Sequence, residues 1–303
     1  MITDRGSVDL AKQPSSWESR VSKEFGTTSE NIFKIRFASG VILVLLFYFL
    51  CLYSSDIIWI VSAGLVFAVC GYEFGNIFRF SHRVKFLLAA FFPVVTLIFW
   101  SARLQGYVII KEVWIYALSA FAILFWCVIV PLIIRYSLRG KHWVYGFVQM
   151  LCSLLPCLSV LLLYESSRVI ILFVFLMVAI FDSFSYLVGR FIGSRALAFS
   201  VSPGKTIEGF AGGALAVTVS YFVVSEHAYL GLPPISAIGL CLFSVFFSCV
   251  CLIGDLYESF LKRTAGIKDS GNLIPGHGGV LDRLDASFAV IPIFVPIFYF
   301  VYH

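Results

Sequence analysis

Charge is scarce in this chain. Asp, Glu, Lys and Arg make up 13% of 303 residues against 60% apolar, and mean hydropathy is +0.96. Soluble domains run at about 25% charged and about 45–50% apolar, so an ordinary water-soluble domain is excluded and a polytopic membrane protein is expected. No C-x-x-C pair occurs among Cys51, Cys70, Cys127, Cys152, Cys157, Cys241, Cys249 and Cys251, and no His stands at zinc-ligand spacing from them. All eight lie inside apolar runs, which argues against a structural zinc or a disulfide framework. The first 30-odd residues lack an apolar core and a small-residue cleavage site, so a secretory signal is not expected. There is no internal repeat, low-complexity tract or separate soluble domain, and no nucleic-acid partner is expected.

What is there is hydrocarbon-soluble helix. A membrane-spanning helix needs about 20 mainly apolar residues. Nine stretches qualify: roughly 35–53, 57–77, 84–101, 113–134, 143–164, 168–189, 207–225, 235–255 and 286–302. The expected fold class is therefore all-α, with a tail over 1–34, N-terminal transmembrane helices over 35–165 and a C-terminal catalytic region over 166–303. Cytosolic segments carry the excess Lys and Arg. With the N-terminus in the cytosol, 19 of the 22 basic residues fall on that side, and only Arg103, Lys111 and Arg168 fall outside. His303 is then external, and the segment after the eighth stretch is cytosolic. In the tail, Pro14 and Ser15-x-x-Glu18 resemble the start of a short interfacial helix, with Trp17, Val21 and Phe25 on one face; plain disorder is the open alternative.

Against this background the segment 254–285, GDLYESFLKRTAGIKDSGNLIPGHGGVLDRLD, stands out. Carboxylates suit a hard cation, Lys and Arg suit phosphoryl oxygens, and a Gly-rich turn brings backbone N–H groups close. If the eighth helix continues to about Arg263, then Asp255, Glu258, Ser259 and Lys262 share one face. Asp182, Tyr186 and Arg190 share another, and Asp282 and Asp285 a third. Acids within spans are costly and point to function. Glu73, Asp182 and Asp255 all fall toward the cytosolic ends of their helices. For Glu73, a pair with Arg79 or Arg83 is an equal alternative.

A second cluster, SVSPGKTIEGFAGG, covers 200–213. Ser202 and Pro203 read as an N-cap and first helical residue, which would leave Ser202, Lys205 and Thr206 at an anion-binding helix start. The GKT triplet is not a Walker A motif: Phe199 stands where the first Gly is needed, and no strand is expected before it. Gly209, Gly212 and Gly213 read as close helix packing.

Together these clusters resemble the phosphatidate cytidylyltransferase (CDP-diacylglycerol synthase) family. Its pattern is matched by Ser259, Lys262, Arg263, Lys268, Asp269, Pro275, His277, Gly278, Gly279, Asp282, Arg283 and Asp285. The runs DSFSYLVGR at 182–190 and SPGKTIEG at 202–209 look like two further motifs of that family, in order. Three positions depart from it: Ser185 where Ala is usual, Gly204 where Lys is usual, and Ile207 where Trp is usual. The resemblance implies transfer of the cytidylyl group of CTP to phosphatidate, giving CDP-diacylglycerol and pyrophosphate for phospholipid biosynthesis. It also implies Mg²⁺ with a metal centre at Asp255 and Asp282, and a homodimer in a bacterial-type inner membrane with a cytosolic site.

The lipid phosphate is already an anionic nucleophile, so the difficulty is repulsion between two anions. Asp285 is then expected to support the metal, and Lys205, Lys262, Arg263, Lys268 and Arg283 to bind phosphoryl oxygens. His277 would orient a phosphate or protonate pyrophosphate, with a turn-stabilising hydrogen bond as alternative. Asp182 would hold a second cation, monovalent or divalent, or orient a lysine, and Glu258 and Asp269 are candidate supports. The acyl chains would stay in the bilayer between helices. Two rivals are a CTP-dependent lipid (polyprenol) kinase, which would release CDP, and a membrane transporter, which would place its acids nearer the midplane.

Overall fold

The structure is a computed structural model, and it describes residues 29–105, 112–136, 142–162, 164–198, 201–226, 235–275 and 278–302. In chain order, α1 is Ser29–Tyr53, α2 Asp56–Ile77, α3 His82–Leu104 and α4 Glu112–Leu124. A π-helical turn, Phe125–Ile129, joins α4 to α5, Val130–Tyr136. Next come α6 (His142–Leu162), α7 (Tyr164–Ile192), β1 (Ala196–Ala198) and β2 (Ser202–Thr206). The last three are α8 (Ile207–Glu226), α9 (Ala237–Thr264) and α10 (Leu281–Tyr302).

Among the described residues, six helical stretches are long and apolar enough to cross a membrane: Asp56–Ile77, His82–Ala102, Tyr116–Tyr136, Arg168–Ile192, Ile207–Ser225 and Ala237–Thr264. The other three expected stretches are occupied by α1, α6 and α10. The π turn has a local cause. Pro131 has no N–H to give, and its ring would crowd the carbonyl four residues back; the widened turn puts the Val130 N–H on the Phe125 carbonyl instead. Helix α1 begins at Ser29, inside the expected tail. The interfacial helix expected near residues 15–25 lies outside the described residues.

The core is built around α10. Every residue from 286 to 296 is buried, and α10 packs against α9, α7, α6, α4 and α2. A helix that is apolar all round needs such enclosure. Small residues let the pairs close up. A Cβ at Gly71 of α2 would lie 2.8 Å from the Leu88 carbonyl oxygen of α3, and one at Gly212 of α8 would lie 2.5 Å from Val188 of α7. The packing role expected for Gly209, Gly212 and Gly213 is therefore what they have.

The segment before α8 corrects the sequence reading. Ser202–Thr206 is a strand, not a helix start, and it pairs antiparallel with β1 through Ala196↔Thr206 and Ala198↔Ser202. The GKT triplet thus lies in a strand, and only Phe199 still argues against a Walker A motif. Pro203 falls between the paired positions, so its missing N–H costs no ladder bond there. The helix starts at Ile207, and its N-cap is Thr206, whose Oγ1 accepts the Gly209 N–H at 3.1 Å. Glu208 ties the hairpin down by accepting from the Ser194 and Arg195 backbone and pairing with Arg195 Nε at 2.9 Å.

Candidate functional site

Helix α9 runs to Thr264, far enough to put Asp255, Glu258, Ser259 and Lys262 on one face. It ends in a Schellman turn: Gly266 has φ +71°, its N–H reaches the Arg263 carbonyl, and Ile267 N–H reaches the Lys262 carbonyl. That stop turns the chain back toward the start of α10. At the crossing, a Cβ on Gly254 would lie 2.7 Å from the Asp285 carbonyl oxygen. Only a residue without a side chain lets the two acidic helix segments approach this closely.

A cavity of about 1100 Å³ opens where these elements meet. Asp182, Lys205, Thr206, Asp255, Lys262, Asp269, Asp282, Arg283 and Asp285 line its polar part. Leu43, Phe47, Ala63, Phe67, Phe175 and Ile291, from α1, α2, α7 and α10, line an apolar part of the same cavity. Nine of the expected site residues, from 182 to 285 in sequence, thus line one cavity.

The charges form two groups. In the first, Lys205 Nζ pairs with Asp255 Oδ2, and Ser259 Oγ donates to Asp255 Oδ1 at 3.3 Å. Asp182 and Asp285 lie within electrostatic reach of this pair. Burial alone would push the Lys205 ammonium below its usual range, but Asp255 first, then Asp182 and Asp285, outweigh it and hold the group above that range. Lys205 is therefore charged at neutral pH. In the second group, Lys262 Nζ bridges Glu258 at 2.6 Å and Asp282 at 2.8 Å. Asp282 also accepts the Gly279 N–H at 2.8 Å and the Ser270 N–H at 3.0 Å.

These donor sets respond differently to the expected metal. Asp182, Asp255 and Asp285 present three carboxylates against one ammonium on the cavity wall, hard oxygen donors of the kind Mg²⁺ takes, but among the described residues no three such ligands converge as a ready-made metal site. Asp282 has both oxygens engaged, and Lys262 would have to turn away for it to bind a cation.

The remaining expectations separate clearly. Arg283 lines the cavity at an exposed position. Arg263 and Lys268 are exposed and do not line it, and Ser202 lies in β2 off its wall. Glu258 is buried behind Lys262. His277 lies outside the described residues. Gly204, where the family pattern has Lys, lines the cavity with open space around its missing side chain.

Glu73 was legible as an acid but not in its contacts. It pairs with neither Arg79 nor Arg83, both exposed. Its carboxylate instead accepts from Val280 N–H at 3.1 Å, Leu281 N–H at 2.9 Å and Ser270 Oγ–H at 3.2 Å. Four backbone N–H groups are orphaned at every helix start, so a buried acceptor near α10 was to be expected; nothing local names residue 73.

Several known proteins are similar to this chain in sequence. The phosphatidate cytidylyltransferase of Haemophilus influenzae is 36% identical over 196 residues, covering 59% of this chain and 67% of its own. That of Bacillus subtilis is 47% identical over 111 residues, 37% of this chain and 40% of its own. That of Staphylococcus epidermidis is 42% identical over 127 residues, 41% and 46% respectively. The matched region thus spans two thirds of the first relative and less than half of the other two. The family model described as "Cytidylyltransferase family" matches residues 34–301, nearly the whole chain, and the chain belongs to that family.

Proposed function

We propose that this chain transfers the cytidylyl group of CTP to phosphatidate, releasing pyrophosphate and forming CDP-diacylglycerol. The observation that carries the reading is the two-part cavity, in which an ion-rich wall and an apolar chamber share one space. A lipid phosphate needs both. Family membership supports a cytidine nucleotide as donor, and the names of the relatives support phosphatidate as acceptor.

A phosphate oxygen of the lipid attacks the α-phosphorus of CTP, and the bond to the β-phosphate oxygen breaks. No strong base is required, because the nucleophile is already ionised. The protein must hold two anions together. Lys205 and Lys262 sit on the wall as ammonium groups already paired with carboxylates, and they exchange those partners for phosphoryl oxygens when substrate enters. Arg283 adds charge at the rim. Were Mg²⁺ bound, Asp255 and Asp282 would hold it with Asp285 in support once Lys205 and Lys262 had turned to phosphoryl oxygens, and it would supply charge neutralisation at the transferring phosphoryl group. Asp182 would hold a second cation or orient Lys205. In this reading the polar part faces the cytosol on the same side as the N-terminus, as the basic-residue asymmetry supports. A homodimer rests on family resemblance alone.

Detergent-solubilised protein incubated with labelled CTP, phosphatidate and Mg²⁺ should yield labelled CDP-diacylglycerol and free pyrophosphate, and EDTA should stop it. Release of CDP with a newly phosphorylated lipid would instead establish a kinase. Absence of any nucleotide turnover would end both readings.

A further inference from the structure

Glu73 belongs to α2, yet all three of its hydrogen bonds come from a segment 197 to 208 residues later in the chain. The residue is 4% exposed, and no basic side chain pairs with it among the described residues. Two of its donors are the Leu281 N–H at the first residue of α10 and the Val280 N–H just before it, where a carboxylate also complements the positive end of the helix dipole. The third is the Ser270 hydroxyl.

Ser270 links this acid to the site. Its hydroxyl donates to Glu73, while its backbone N–H donates to Asp282. Gly279 adds a second link: its N–H donates to Asp282, and a Cβ on it would lie 2.5 Å from Glu73 Oε2. Gly271 is pressed just as closely, with a Cβ there 2.5 Å from Glu73 Oε1. The loop between α9 and α10 is therefore wrapped on two buried carboxylates that share Ser270 and Gly279. One of them lines the cavity; the other does not.

We propose that Glu73 is a positioning residue, an inserted cap from the N-terminal half of the chain that fixes residues 270–271 and 279–281 against each other and so the placement of Asp282 and Asp285. It touches no substrate. It acts by holding the N-terminus of α10 at one height, because both ends of the loop hang on its two oxygens. The inference depends on the proposed cytidylyl transfer only for its kinetic readout.

The test compares wild type, Glu73→Gln and Glu73→Asp as full chains in detergent. Gln is nearly isosteric but replaces one acceptor oxygen with a donor, so at least one of the three donors loses its partner. Misplacement of about 1 Å costs as much as 10²-fold in rate. Glu73→Gln should therefore lower kcat at least about tenfold while KM for CTP moves about threefold or less. Amide exchange should rise at residues 279–282, and Glu73→Asp should recover part of both effects. Wild-type kcat in Glu73→Gln overturns the proposal. So does a fall in kcat that tracks the melting temperature with no change in exchange at 279–282, which would make Glu73 a stability residue only. If wild type transfers nothing from CTP, the reaction assigned above fails, and the exchange pattern alone still decides the role of Glu73.

Discussion

Asp282 accepts from one ammonium and two backbone N–H groups, and Asn cannot replace it in that setting. One of its two oxygens would become an amide nitrogen facing a donor. Asp282→Asn should lower transfer by about 10²-fold or more, the range for removing one group that stabilises transition-state charge. The stability cost should be about 1–3 kcal/mol for the unsatisfied donor. Turnover of purified, folded protein checks this, and a near-normal rate would remove Asp282 from the site. Gly204 offers the opposite experiment. Nothing lies within 4 Å of a Cβ there, so a side chain at this position leaves the backbone unobstructed, and Gly204→Lys adds a cation to an acid-rich wall. KM for CTP should fall about two- to fivefold, what about 0.5–1 kcal/mol of partly screened attraction gives. An unchanged or higher KM would mean that this wall does not meet the nucleotide.

Elements matter through their crossings. The close approach of α9 and α10 depends on Gly254, whose added Cβ would meet the backbone at Asp285 and Ala286, the latter at 2.9 Å. Backbone cannot swing aside as a side chain can. Gly254→Ala should push the helices apart, separate Asp255 from Asp285 and lower kcat by about tenfold or more, since an ångström of misplacement suffices for that. Steady-state kinetics against an unchanged melting profile would reveal it, and wild-type kcat would show the crossing to be slack.

The same elements show what the sequence could disclose. The shared face of Asp255, Glu258, Ser259 and Lys262 is conditional on the eighth helix running past 255; the helix does run to Thr264, and two of these residues, Glu258 and Lys262, pair at 2.6 Å. The convergence of 182, 205, 255 and 282 on one cavity followed from polar residues crowding one end of apolar helices. The hairpin at 196–206 did not, because strands of three and five residues carry no usable period and Ser-Pro imitates a helix start. The partners of Glu73 did not either, since a contact across about two hundred residues leaves no local pattern.

At the scale of the whole molecule, the cavity joins two environments. Its apolar part is lined by α1, α2, α7 and α10, and Ala63 on α2 contributes one of its small side chains. Ala63→Phe would shorten that chamber without touching the ionic wall. Turnover of long-chain phosphatidate should drop several-fold more than that of a short-chain analogue, with KM for CTP unchanged. Equal losses for both lipids would show that the acyl chains lie elsewhere.

Helix α10 carries Asp282 and Asp285 at one end and is enclosed along the eleven residues from 286 to 296. Segments with the densest enclosure open last, near the free energy of global unfolding. The acids at its tip are thus mounted on the part of the protein that heat reaches last. On warming, the placement of Asp282 and Asp285 should therefore last until the scaffold itself yields, so that activity and the melting profile fall together.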